Sequence, residues 1–322
     1  MPSNHGREDD LATVAFIFPG QGAQFVGMGA DLLQGTKTTT DIIRRADTCL
    51  GYPLSKIMGG DPPGALDQTF YTQPAIFVHS VAMFEEFRSR CNLTPIAAAG
   101  HSLGEYTALY AAGALEFEDA LKIIQERARQ MEQAQPLGTC GMAAVMGISI
   151  DRLECLVQET RGADVLEIAN FNAPDQVVIS GHLTALRRAM DAMKGEKRVR
   201  VVLLNVSSAF HTSLMRPAAV GLSDIIHETP LSPLRTPVIA NVDGKPYPTD
   251  PAQMRGKLLQ QLVNPVLWED CINQMAAQGA TTFIEFGPGK VLTGLLRRID
   301  RTLEGINVAN VSSCEECAAR FP

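Results

Sequence analysis

The sequence predicts an α/β fold in two parts, a large domain of alternating buried strands and helices with a small α+β unit inserted into it. Three observations carry this reading. Short apolar runs at 14–18, 96–99 and 281–286 are too short for helices, and each ends in a glycine-containing turn. Longer stretches such as 72–87 and 117–135 place apolar residues at helical spacing. Between Gly138 and Val206 the texture changes to six short elements in the order β-α-β-β-α-β, that of a ferredoxin-like unit. The resulting division is a leader (1–12), a large domain in two pieces (13–137 and 207–308), the inserted ferredoxin-like subdomain (138–206) and a tail (309–322).

In chain order, the leader MPSNHGREDDLA lacks the apolar core of a signal peptide and reads as solvated and disordered. Val14–Gln24 is a buried strand entering a glycine-rich turn. Either the strand simply ends there, or the turn aims backbone N–H groups at a ligand, with Gln21 at its centre. Residues 30–90 are mostly helical, broken by GGDPPG at 59–64. Thr72–Phe87 is a helix with Pro74 in its first turn, and His79 within it reads as a satisfied core histidine.

The strand at 96–99 runs into GHSLGE (100–105), and a helix follows as far as Gly113. Strand, Gly-x-Ser-x-Gly, helix is the context of a nucleophile elbow, so either Ser102 is a nucleophile or the motif is a tight structural turn, and the large domain is expected to be α/β-hydrolase-like. In the helix 117–135, Ala120, Ile124, Arg127 and Met131 share one face. An Arg on an apolar stripe needs an anion, either an internal carboxylate or a substrate carboxylate gripped in bidentate fashion.

The insert's elements fall at 141–148 (β), 151–160 (α), 165–170 and 177–180 (β), 182–194 (α) and 199–205 (β). His211 follows in a polar turn, and Pro217 enters the next helix. A strand at 236–244, a helical stretch broken at Pro265 and the strand 281–286 complete the large domain. The closing GPGK is no P-loop, because Val291 stands where Ser or Thr is required.

A chain of 322 residues with 45% apolar and 20% charged residues can bury a substantial core. Apolar runs are too short to span a bilayer, and a net charge of −7 argues against nucleic acid as a partner. Seven scattered Cys suit a reducing compartment, which predicts a cytoplasmic address. Cys314 and Cys317 form a lone CxxC in what reads as a polar tail, and no metal site is expected.

A Ser nucleophile needs a base. His5 lies in the leader, His79 in a core helix, His182 and His227 on exposed helix positions, and His101 beside Ser102 itself. His211 remains, with no convincing Asp or Glu between it and Ser102 to complete a triad.

The segments FPGQGAQFVGMG (18–29), TQPAIF (72–77), GHSLGEYTAL (100–109), ERARQM (126–131), GTCGMAAV (138–145), NFNAPDQVVISG (170–181), FHTSLMRPAA (210–219), LVNPVLW (262–268) and EFGPGKVLTGL (285–295) occur in this order. Together they resemble the malonyl-CoA:acyl-carrier-protein transacylases and the related acyltransferase domains of polyketide and fatty acid synthases. The resemblance implies ping-pong transfer of malonyl from malonyl-CoA to acyl carrier protein through an ester on Ser102, with His211 as base. It places the oxyanion on the N–H groups of Gln21 and Leu103, and a main-chain carbonyl near Gln261 on His211. It makes Arg127 the carboxylate-binding arginine, with Met131 and Phe210 in the substrate site. It implies no cofactor, no membrane partner and a monomer. Phe210 replaces a Ser common in free-standing relatives, and in related polyketide enzymes Phe goes with malonyl. The basic segment KGEKRVR (Lys194, Lys197, Arg198, Arg200), with Arg297 and Arg298, is a candidate carrier-docking surface or an ordinary solvated face. The alternatives are a thioester hydrolase using the same Ser and His, an enzyme for another extender unit, and a silent carrier-binding scaffold.

Overall fold

The computed structural model describes residues 13–206 and 208–321, so the leader lies outside the described residues. The chain runs β1 (Val14–Phe18), α1 (Ala30–Leu33), α2 (Lys37–Leu50), α3 (Leu54–Met58), α4 (Thr69–Arg90), β2 (Ala97–Gly100), α5 (Gly104–Ala111) and α6 (Phe117–Gln133). The small unit is β3 (Cys140–Met146), α7 (Ile150–Arg161), β4 (Leu166–Ala173), β5 (Gln176–His182), α8 (Leu183–Met193) and β6 (Arg200–Leu203). The large domain resumes with α9 (Arg216–Glu228), β7 (Val238–Ile239), α10 (Pro251–Val263), β8 (Val266–Leu267), α11 (Trp268–Ala277), β9 (Thr282–Phe286), α12 (Val291–Ile299), β10 (Glu304–Val308) and α13 (Val311–Ala318).

The large sheet is parallel throughout, in the order β10-β9-β1-β2-β7. Its central strands are buried along their whole length, as a sheet covered by helices on both faces requires. Phe16, Phe18, Phe84, Phe87 and Phe286 pack against one another, mostly edge to face, between this sheet and α4. The small sheet has the order β6-β3-β5-β4, the antiparallel ferredoxin-like arrangement, and β8 of the large domain adds a fifth strand parallel to β4.

Several expectations change. The helix expected at 72–87 begins at Thr69, so Pro74 sits in its second turn. His79 is buried, but neither ring nitrogen finds a hydrogen-bond partner among the described residues, and burial lowers its pKa to about 4. It is a core histidine held neutral by desolvation. The strand expected over 236–244 pairs only at Val238–Ile239 before the chain turns. Beyond the last expected strand comes β10, and the segment read as a polar tail forms α13. Asn310 caps that helix in a capping box, and Cys314 and Cys317 on it are buried against α4. Their thiols are packing groups pushed up to about 12 by burial.

Candidate active site

The turn after β2 explains the two glycines of GHSLG. A Cβ on Gly100 would lie 1.9 Å from the Gly104 carbonyl, and one on Gly104 would lie 2.1 Å from the Phe18 oxygen. Nothing but hydrogen fits at either position. Ser102 itself sits at φ 52, a strained left-handed conformation for a residue with a side chain. Asn241, just after β7, holds the turn in place. Its Oδ1 accepts from the Ser102 N–H at 2.7 Å and its Nδ2 donates to the Gly100 carbonyl at 2.7 Å. This strain lifts the Ser102 hydroxyl off the sheet end and leaves the next N–H, that of Leu103, at the start of α5.

His211, also at positive φ (57), brings Nε2 to 2.7 Å from Ser102 Oγ. Its Nδ1 lies 2.9 Å from the main-chain oxygen of Gln261. A carbonyl can only accept, so Nδ1 carries the proton and Nε2 is free to take one from Ser102. A main-chain carbonyl therefore stands where hydrolase triads place a carboxylate. The loop is pinned by Glu167 of β4, which accepts from the Ser213 N–H at 2.9 Å and its hydroxyl at 2.6 Å.

Burial first, then the Arg127 charge, pushes the His211 pKa down from 6.5 to about 3. The imidazole is thus neutral at neutral pH and able to accept a proton. Acyl loading should stay flat from pH 8 through 6.5 and fall only well into acid, where the imidazole finally protonates. Single-turnover loading against pH checks this, and an acid limb at 6.5 or above would contradict it.

Arg127 is fully buried on the apolar face of α6 and meets no carboxylate within 4 Å among the described residues. Nη1 donates to Gln73 Oε1 at 2.7 Å, and Nη2 donates to Gln261 Oε1 at 2.9 Å and to Ser102 Oγ at 3.0 Å. Its Nε has no partner. A guanidinium has five N–H donors, so the group is held in place by neutral oxygens with donors to spare. Met131, one turn on, takes a contact from Gln73 Nε2 at 3.5 Å.

Glu105, on the first turn of α5, is the carboxylate nearest this network. It is fully buried, accepting from Asn241 N at 2.9 Å, Gln261 Nε2 at 3.0 Å and the Tyr247 hydroxyl. Burial raises its pKa, while those three donors and Arg127 pull it back. Sequence reasoning missed Gln73, Glu105 and Asn241. Gln73 and Glu105 lie inside motifs quoted above, where a polar residue within an apolar helix was the available signal.

Beside this network opens a cavity of about 320 Å³, lined by residues of both domains and, from the network itself, by Gln73. Gln21, Ser102, Leu103, Met131, Phe210 and His211 all face it. No protein acceptor takes the Gln21 or Leu103 N–H among the described residues, which leaves both as donors for an oxyanion. His101 turns away from the base, with Nε2 2.8 Å from Asn172 Oδ1 and its ring against Trp268. Among the described residues no cluster of three His, Cys, Asp or Glu could hold a metal ion, and no helix is long and apolar enough to cross a membrane.

An elbow serine, a histidine held by a carbonyl, two N–H groups without a protein acceptor among the described residues and a buried guanidinium form an arrangement that suits an acyltransferase on an α/β scaffold. Residues 15–316 match the family model of the acyl transferase domain. The chain is 38% identical over 306 residues to the malonyl CoA-acyl carrier protein transacylase of Bacillus subtilis, covering 95% of this chain and 96% of that one. The solved structure of the corresponding transacylase from Coxiella burnetii superposes with a TM-score of 0.93 at 36% identity, covering 96% and 98% of the two chains. A type II PKS acyl-carrier protein in complex with its malonyl-transacylase matches with a TM-score of 0.92 at 35% identity, covering 96% of this chain and all of that one. The chain belongs to the malonyl-CoA:acyl-carrier-protein transacylase family.

Proposed function

We propose that this chain transfers malonyl from malonyl-CoA to the phosphopantetheine thiol of an acyl carrier protein. The observation that carries the reading is the 2.7 Å contact of Ser102 with His211 beside a buried Arg127 that has donors free. Ser102 Oγ attacks the thioester carbon as its proton passes to His211 Nε2. The oxyanion rests on the Gln21 and Leu103 N–H groups. Coenzyme A leaves as a thiol, taking that proton from His211. The carrier's thiol then gives its proton to His211 and attacks the ester, and Ser102 recovers the proton as it leaves. Arg127 Nη2 lies 3.0 Å from Oγ. An acyl group whose carboxylate is one methylene from the carbonyl spans that reach, whereas a longer diacid would have to fold back. The residues around the cleft supply every proton transfer, so the reaction needs no cofactor. The seven free thiols favour a cytoplasmic address.

Intact mass after brief mixing with malonyl-CoA, followed by addition of carrier protein, tests the reading. The expected result is a malonyl adduct that moves onto the carrier's thiol. An adduct that decays to free malonate with the carrier unloaded would instead make the enzyme a hydrolase.

Phe210 is buried and lines the cavity. Phe210→Ser should raise methylmalonyl loading relative to malonyl by about tenfold, as expected for admitting one methyl group. Competition between the two thioesters measures this directly, and an unchanged ratio would remove Phe210 from the specificity argument.

Carrier docking is placed at the basic end of β6. Lys194 is paired with Asp191, and Arg298 with Asp175 across the two domains. Lys197, Arg198 and Arg200 have no carboxylate within 4 Å among the described residues, and the strand they begin leads to Leu204, Asn205 and Val206 in the cavity wall. Reversing Lys197 and Arg198 to Glu should raise the KM for the acidic carrier roughly threefold to tenfold at low salt and leave malonyl loading unchanged. An unaltered KM would show the patch to be a solvated face.

A further inference from the structure

We infer that Glu105 is a positioning residue for substrate selection: together with the Ser102 main-chain carbonyl its carboxyl group holds the Gln261 amide in one orientation, and that amide aims Arg127 at the substrate carboxylate. This rests on the malonyl reading above. The two ends of a primary amide are nearly the same shape, so neighbours must decide which end is oxygen. Here they do. Glu105 Oε2 accepts from the Asn241 backbone N–H, which can only donate, and so Gln261 presents Nε2 to the same oxygen at 3.0 Å. The same Nε2 donates to the Ser102 carbonyl at 2.9 Å. Oε1 is thereby turned to Arg127 Nη2 at 2.9 Å. The Asn241 backbone N–H, which can only donate, and the Tyr247 hydroxyl complete the shell around Glu105 and hold the carboxylate still.

The arrangement has a chemical purpose. A carboxylate in direct contact with Arg127 would occupy the donors that the substrate needs. With an amide between them, Glu105 steadies the guanidinium through Gln261 and leaves Nε and the second Nη1 hydrogen unused. The main-chain carbonyl of the same Gln261 holds His211, so one residue carries both settings, the side chain for selectivity and the backbone for the base.

The test compares quenched single-turnover loading of Ser102 by malonyl-CoA and acetyl-CoA in the wild type, Glu105→Gln, Arg127→Ala and the double variant. Glu105→Gln keeps the shape and weakens one of the two acceptors that hold Gln261 Nε2, leaving the Ser102 carbonyl as the other. We expect malonyl loading to fall about tenfold, mainly through KM, while acetyl loading changes less than about twofold. In the Arg127→Ala background the same substitution should have almost no effect on malonyl loading. Tyr247→Phe, which removes a donor that holds the Glu105 carboxyl group, should shift the malonyl-to-acetyl ratio in the same direction and serves if Glu105→Gln is not recovered folded. Equal losses toward both acyl groups, or a loss undiminished without Arg127, would overturn the inference and make Glu105 a support of the elbow alone. A wild type that takes up no malonyl would overturn the functional reading itself, so the two failures are distinguishable.

Discussion

Ser102→Ala is expected to abolish the malonyl adduct and lower transfer to carrier protein by up to about 10⁶-fold, because the bond-forming atom is gone and no second hydroxyl replaces it. The residual rate would come from substrate held against the Gln21 and Leu103 N–H groups. The fold should survive. The turn is fixed by Gly100, Gly104 and Asn241, all of which remain, and alanine accepts the φ of 52 no worse than serine does. Intact mass and circular dichroism on one sample separate lost chemistry from lost structure. A persisting malonyl adduct in this variant would place the nucleophile elsewhere.

Arg127→Ala should lower malonyl loading roughly tenfold to a hundredfold and leave acetyl loading nearly unchanged, the loss of about 1.5–3 kcal/mol of charge-assisted hydrogen bonding to one substrate only. The variant also strands Gln73 Oε1 and Gln261 Oε1, which costs stability. That cost falls on both substrates alike, so the malonyl-to-acetyl ratio isolates the recognition term. A second effect has a definite sign. Arg127 is the largest charge-based cause of the depressed His211 pKa. Removing it should move the acid limb of the loading profile upward, toward the ordinary imidazole value. An unmoved limb together with an unchanged acyl ratio would argue that Arg127 is purely structural.

The elbow, Arg127 and the β-α-β-β-α-β insert were readable because each depends on local rules. Glycines flank a strained serine, a charge sits on an apolar stripe, and the elements alternate at short spacing. The rest depends on contacts distant in sequence. Asn241 reaches Ser102 across 139 positions, and only the parallel register of β2 with β7 brings them together. Gln73 looks like one more residue of a buried helix until α4 is packed against α6. Strand β8 has two residues and no periodicity of its own. Helix α13 escaped notice because its buried face is made of Cys and Ala, which look polar or neutral beside the Leu and Ile that mark other helices. The group on His211 Nδ1 is a main-chain carbonyl, which leaves no trace in side-chain identity.

Strand β8 lies between Gln261, whose carbonyl holds His211, and α11, and it is hydrogen-bonded into the sheet of the small domain. The two lobes are therefore laced by backbone, and swinging one away from the other would tear a ladder close to Gln261. Such a cleft behaves as a fixed slot rather than a jaw. On the proposed reading, that suits an enzyme whose donor and acceptor present the same pantetheine arm in turn. Each must slide in, react and slide out along one track, and the slot need not be rebuilt for the second visitor.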